Sequence, residues 1–183
     1  MAKVDTSQMR PGTRVELDHG EPYIITEYQH VKPGKGGAFV RLKLKSLISG
    51  SVIDRTLKAG ESLEQAVVKH CEMQYLYGDG STRVFMDQKS FEQIEVPESL
   101  IANADLLMEN CEIDLVLHHE KPIGVELPNF VILEVAETDP PSKGGHLKPA
   151  TLETGAVIQV PSFIERGDKL RIDTRDRSYA SRA

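Results

Sequence analysis

The chain has no tryptophan, aromatic residues make up only 5% of it, and it holds two cysteines in 183 residues. So few bulky rings cannot fill one large core, whereas the 39% of apolar residues is enough for several small ones. Cys71 and Cys111 fit no metal-ligand spacing and cannot build a framework of bridges, so reduced thiols and a cytoplasmic setting are expected. No apolar run approaches the roughly 20 residues of a membrane-spanning helix. The opening Met1-Ala2-Lys3-Val4-Asp5 also lacks the apolar stretch of a signal peptide. Acidic side chains are missing from one stretch in particular. Residues 28–53 contain no Asp or Glu but five basic residues, Lys32, Lys35, Arg41, Lys43 and Lys45.

That gap shapes the charge distribution. The whole chain carries −6, which argues against indiscriminate coating of nucleic acid. Residues 1–64 carry +2, residues 65–128 carry −8 and residues 129–183 are balanced. An acidic body with a basic tip favours one oriented encounter with RNA.

The fourteen glycines and ten prolines are spread along the chain, as short strands and turns require. The turn Lys32-Pro33-Gly34-Lys35-Gly36-Gly37 lies between two strand-like runs, residues 23–31 and 38–45. The second run alternates: Ala38, Val40, Leu42 and Leu44 face one way, Phe39, Arg41, Lys43 and Lys45 the other. Pro33 stiffens the turn, and its glycines leave no bulk around Lys35. The product is a slender probe ending in an ammonium group, suited to a narrow anionic channel and accessible to a modifying enzyme. A phosphate-binding P-loop is excluded, because the Ser or Thr after Gly-Lys is absent and a strand follows instead of a helix.

Residues 1–64 read as about five short strands around a small core, which suits an SH3-like barrel. In residues 65–128, Gly78-Asp79-Gly80-Ser81 is a hairpin turn between Tyr75-Leu76-Tyr77 and Val84-Phe85-Met86. Pro97-Glu98-Ser99-Leu100 predicts the start of a helix whose apolar face is Leu100, Ala104, Leu107 and Met108. Cys111, Ile113, Leu115 and Leu117 then alternate as a strand. Strands around one short helix fit an OB-like barrel. In residues 129–183, Val131, Leu133 and Val135 alternate inward.

Catalytic and metal constellations are weak. His118-His119-Glu120 is not expected to bind metal, because adjacent strand residues point to opposite faces. His70-Cys71 has no visible orienting partner. Asp168, Asp173 and Asp176 sit among arginines and read as ion pairs. No enzyme, cofactor or metal is expected. Arg171, Arg175, Arg177 and Arg182 form a local basic patch near the C-terminus.

The run His30-Val31-Lys32-Pro33-Gly34-Lys35-Gly36-Gly37-Ala38-Phe39-Val40-Arg41 resembles the signature hairpin of bacterial translation elongation factor P. Tyr75-Leu76-Tyr77-Gly78-Asp79-Gly80 and Phe85-Met86-Asp87 resemble that family's middle domain. Lys148-Pro149-Ala150-Thr151-Leu152-Glu153-Thr154-Gly155-Ala156-Val157-Ile158-Gln159-Val160-Pro161, with Gly167, resembles its C-terminal signature. The resemblance covers essentially the whole chain. It implies an all-β protein of three consecutive β-barrels in an elongated, bent arrangement: an SH3-like, KOW-type barrel at 1–64 and OB-like barrels at 65–128 and 129–183.

It further implies a monomeric, non-enzymatic factor that binds both ribosomal subunits and peptidyl-tRNA between the peptidyl and exit sites. That factor would promote peptide-bond formation at consecutive prolines. Lys35 aligns with the family's modified lysine, whose modifying enzyme resembles a lysyl-tRNA synthetase. Lys32, Pro33, Gly34, Lys35, Gly36 and Arg41 would meet tRNA or ribosomal RNA, and Arg175, Tyr179 and Arg182 would supply contacts from the third barrel. One departure stands out. The stretch 139–148 is shorter than in many relatives and lacks their Gly-Asp-Thr, so their exit-codon contact is not carried over. A like-named paralogue, or an RNA-binding barrel protein acting off the ribosome, remains an alternative.

Overall fold

The computed structural model describes residues 2–183, and the fold is all-β. Among the described residues sixteen strands form three sheets, and pairing is antiparallel throughout the first and the third. By compactness the chain divides into two units, one running up to His70 and including Val116–Gly124, the other comprising Cys71–Leu115 and Val125–Ala183.

The first sheet has the order β1-β6-β2-β3-β4-β5. Its strands are β1 (Lys3–Asp5), β2 (Arg14–Glu16), β3 (Pro22–Val31), β4 (Phe39–Ser46), β5 (Val52–Lys58) and β6 (Ser62–Gln65). Period-two alternation on β4 buries Val40, Leu42 and Leu44 in a core with Val4, Met9, Val15, Tyr23, Ile25 and Leu57. A bulge at Thr26 interrupts the β3–β4 register between Ile25 and Glu27. Its hydroxyl donates to the Lys43 carbonyl at 3.1 Å. The extra residue switches the parity of β3, so the inward set runs Tyr23, Ile25 and then Tyr28.

The second sheet has the order β11-β10-β7-β8-β9. It contains β7 (Val68–Asp79), β8 (Thr82–Met86), β9 (Gln93–Pro97), β10 (Glu112–His118) and β11 (Lys121–Glu126). The β7–β8 turn falls at Gly80-Ser81, between paired Asp79 and Thr82. Phe85 is fully buried on β8, with its ring 5.5 Å from that of Tyr75.

The helix expected after Pro97 does not form. Two single 3-10 turns, Glu98–Leu100 and Ala104–Leu106, take its place. Between them Ile101 makes an isolated parallel bridge to Val125, and Asn103 adopts φ 58°, ψ 41°. The cause is tertiary. Asn103 Nδ2 donates to the Thr174 carbonyl at 2.8 Å, and its Oδ1 accepts from Arg177 at 3.0 Å. A helix this short has little intrinsic stability to set against those bonds, and Asn tolerates the left-handed region. The buried set is accordingly Ile101, Ala104, Leu106 and Leu107, while Met108 is exposed.

The third sheet has the order β14-β13-β12-β15-β16. Its members are β12 (Phe130–Thr138), β13 (Leu147–Leu152), β14 (Val157–Pro161), β15 (Lys169–Asp173) and β16 (Ser178–Arg182). The two end strands, β14 and β16, approach each other and bring the sheet round towards a barrel. Val131, Leu133 and Val135 of β12 point into a core with Ala150, Leu152, Ile158, Val160, Ile164, Leu170 and Ile172.

Candidate nucleic-acid interface

The β3–β4 hairpin ends in paired Val31 and Phe39, so seven residues, 32–38, connect the strands. Residues 32–37 are all exposed. A Cβ placed on Gly34 or Gly37 would meet nothing within 4 Å, and one on Gly36 would touch only the Pro33 ring at 3.7 Å. The loop therefore packs against nothing but itself. Gly36 has φ 136°, which a side-chain-bearing residue rarely adopts. Among the described residues Lys35 makes no hydrogen bond or ion pair. Its charge is presented outward with no neutralising partner.

The basic face behind the tip is partly committed. The Arg41 guanidinium lies 5.5 Å from the Phe39 ring centroid, and Lys43 pairs with Glu27 at 3.2 Å. Both are solvent-exposed arrangements of small energetic weight, so either cation can be recruited by a phosphate. Lys32 and Lys45 are exposed. Lys32, Pro33, Gly34, Lys35, Gly36 and Arg41 thus share one projecting element.

The C-terminal arginines differ among themselves. Arg175 is on the β15–β16 turn and grips Asp173 with bonds of 3.0 and 2.6 Å. These bonds lower the Asp173 carboxyl to about 2. Arg182 donates to Asp168 at 2.9 Å and to the Phe163 carbonyl at 3.2 Å. Arg171 stacks 4.0 Å from the centroid of Phe130. Tyr179 is half-buried against the core. The reading of Asp168 and Asp173 as ion pairs matches these contacts. Arg177 has a structural task, clamping Asp105 through two bonds of 2.7 and 2.6 Å. Lys148 is buried too, and its ammonium donates to the Asp139 carbonyl, pinning the 139–146 connection.

The Arg177 clamp has a testable pH signature. Arg177 beside Asp105 holds that carboxyl below its ordinary value. A depressed carboxyl stabilises the fold above the ordinary carboxylate range and loses that contribution as pH falls through its folded-state pKa. Both side chains are more than a third exposed, so the effect is at most about 1 kcal/mol. We expect Asp105→Asn to lower stability by a constant amount near neutrality. The gap to the parent should close in acid, as read by urea unfolding at a series of pH values.

His118 and His119 do not point to opposite faces as two adjacent strand residues would, contrary to the expectation from sequence. The β10–β11 turn is His119-Glu120 itself, with φ of 48° and 62°. His119 is therefore off the strand, and its ring folds back to within 4.1 Å of the His118 ring, centroid to centroid. Both Nε2 atoms converge on Oε1 of Glu16 from β2, at 3.3 Å for His118 and 2.9 Å for His119. Glu16 was missed from sequence because it lies 103 residues from His119. Cys71 and Cys111 are both free and partly buried, and burial pushes the Cys111 thiol up, away from the reactive thiolate.

A KOW-like barrel bearing a projecting cationic hairpin, followed by an OB domain and a C-terminal β-domain, defines a multi-barrel translation factor. Residues 5–63 match the Elongation factor P (EF-P) KOW-like domain, 68–125 the Elongation factor P (EF-P) OB domain and 131–182 the Elongation factor P, C-terminal family. The chain is 48% identical to Elongation factor P of Synechococcus sp. over 98% of its length and 99% of that protein. It is 50% identical to Elongation factor P of Pelotomaculum thermopropionicum, again over 98% and 99% of the two chains. The chain belongs to the elongation factor P family.

Its backbone is also similar to the structure of Eukaryotic translation initiation factor 5A from Methanococcus jannaschii. The TM-score is 0.57 at 21% identity, over 69% of this chain and 92% of that one, a likeness of fold. The protein is thus a translation elongation factor and not an enzyme, and its family implies interaction with the ribosome. No helix is long and apolar enough to cross a membrane among the described residues.

Proposed function

We propose that this elongation factor binds the ribosome between the peptidyl and exit sites and promotes peptide-bond formation on stalled peptidyl-tRNA, above all at consecutive prolines. The observation that carries the reading is the unpartnered Lys35 at the end of a thin, glycine-flanked loop. In this division of labour a barrel of residues 1–64 brings the loop to the acceptor end of the tRNA. Barrels at 65–128 and 129–183 provide the remaining docking surface, the last of them towards the small subunit.

The mechanism is positional. Proline is a constrained nucleophile, and a wandering peptidyl-tRNA end adds an entropic cost to its attack. A cation held against the tRNA backbone restricts that end to reactive geometry, while the ribosome supplies the chemistry. Lys32, Lys35 and Arg41 contribute most, because each can exchange solvent or a weak contact for a phosphate. Arg175 and Arg182 contribute less, since each must share its guanidinium with a bound aspartate, and Tyr179 offers an edge beside them. Lys35 is also the site where a synthetase-like enzyme adds a group that lengthens the reach of the amine. Peptide mapping of protein from its native host reads that mass directly.

The test is a purified translation system programmed with a message containing Pro-Pro-Pro. Adding the protein should shorten the lifetime of the stalled peptidyl-tRNA, and the protein should co-sediment with the ribosomes. A protein that stays in the supernatant and leaves the stall unchanged would instead be an RNA-binding barrel protein acting elsewhere.

A further inference from the structure

We infer that Glu16, His118 and His119 form a binding site for a zinc-class divalent cation, a site separate from the hairpin and independent of the reading given for it. His118 is 5% exposed and the Glu16 side chain 9%. The His118 ring is held at both ends by oxygen. Nδ1 lies 3.1 Å from the Val67 carbonyl, and Nε2 lies 3.2 Å from the Gly20 carbonyl and 3.3 Å from Glu16 Oε1.

A neutral imidazole has one N–H and one lone pair. Whichever tautomer is chosen, one nitrogen sets its lone pair against an oxygen lone pair. If Nδ1–H donates to Val67, the bare Nε2 faces two oxygens, one of them anionic. Electron pairs converging in this way call for positive charge between them. A metal ion supplies it and leaves the Nδ1–H bond to the Val67 carbonyl intact. That is the arrangement in which metal-bound histidines are usually oriented, with the far ring nitrogen donating to a backbone carbonyl.

The spacing fits. The three ligand atoms lie within 4.8 Å of one another. Ligands about 2.1 Å from a tetrahedral zinc stand roughly 3.4 Å apart, close to the observed 3.3 and 2.9 Å. Two imidazoles and a carboxylate suit zinc or its first-row neighbours, whereas magnesium and calcium prefer oxygen alone. The Gly20 carbonyl or a water can complete the coordination.

A two-residue turn with positive φ at both positions favours Asn-Gly, yet His119 and Glu120 occupy it here. Two side-chain-bearing residues in the left-handed region cost on the order of 2–4 kcal/mol together. That strain brings the His119 ring back over His118. The ion would clip Glu16 of β2 to the β10–β11 turn, joining it to His119 across 103 positions within the first unit.

The experiment uses the full-length, untagged protein stripped with a chelator. Zn²⁺ is titrated by calorimetry and Co²⁺ by visible absorption near neutral pH. We expect one equivalent of either metal, a Co²⁺ spectrum without thiolate charge-transfer bands, and a zinc-dependent rise in melting temperature. Glu16→Gln and His119→Ala should each weaken binding at least tenfold while keeping the far-ultraviolet circular dichroism of the parent. Cys71→Ser with Cys111→Ser should bind as the parent does. His118→Ala is avoided because the residue is buried.

Three results would overturn the assignment. One is absence of binding. The second is equal affinity in Glu16→Gln and His119→Ala. The third is a nitrogen NMR spectrum showing both His118 nitrogens protonated at neutral pH even with zinc present, which would make the compensating cation a proton.

Discussion

Lys35→Ala is expected to lower the rate of peptide-bond formation at a Pro-Pro-Pro stall by on the order of 100-fold, measured as the lifetime of the stalled peptidyl-tRNA in a purified translation system. The loop it sits on packs against nothing, so removing the side chain creates no cavity and should leave the melting temperature unchanged. Ribosome co-sedimentation should persist, because Lys32, Arg41 and the rest of the docking surface remain. One lost phosphate contact changes the salt dependence of binding by roughly one unit of slope. The prediction therefore separates positioning from binding. Lys35→Arg is the informative partner: it keeps the charge but replaces a compact ammonium with a wider planar fork. A narrow channel should make it a partial rescue. Full activity of Lys35→Ala would remove the basis for a positional mechanism and return the loop to the status of a solvated turn.

Phe85→Ala is expected to cost about 3–5 kcal/mol, the range for truncating a fully buried phenylalanine. Phe85 is among the largest side chains with no exposure, it lies on a paired central strand, and it loses the tilted ring contact with Tyr75 as well. The chain has two compact units, so a single unfolding midpoint is a poor readout. Amide exchange along β7, β8 and β9 reports the local loss directly. Phe85→Leu, which keeps most of the volume, should recover the larger part of it. A measured cost below about 1 kcal/mol would mean that the central sheet can collapse around the missing ring, contrary to close packing.

The two variants act on different levels, and the sequence makes them unequally visible. Lys35 stands out because everything that exposes it is adjacent in sequence: a proline, three glycines and an alternating strand that follows them. Val40, Leu42 and Leu44 announce the core face in the same local way, and the burial of all three follows. The bulge at Thr26 is silent in sequence, since no glycine or proline marks it, yet it decides that Tyr28 turns inward.

The failed helix shows how local patterning misleads. Leu100, Ala104 and Leu107 keep helical spacing, but Asn103 finds Thr174 and Arg177 more than seventy positions away and is held out of the helix. The C-terminal basic patch shows the same effect in its charges. Counted along the chain it offers four arginines, whereas in space Arg177 is spent on Asp105, and Arg175 and Arg182 are shared with aspartates.

From sequence alone one could derive the β-class, the succession of small cores, the hairpin and the cation at its tip, because strand alternation and turn chemistry act over a few neighbouring residues. Tertiary structure alone decided the left-handed turn at His119, the meeting of Glu16 with two histidines, and what each C-terminal arginine is held by. Those outcomes depend on hydrogen bonds and charges brought together from distant strands, whose energies enter only after the chain has closed on itself.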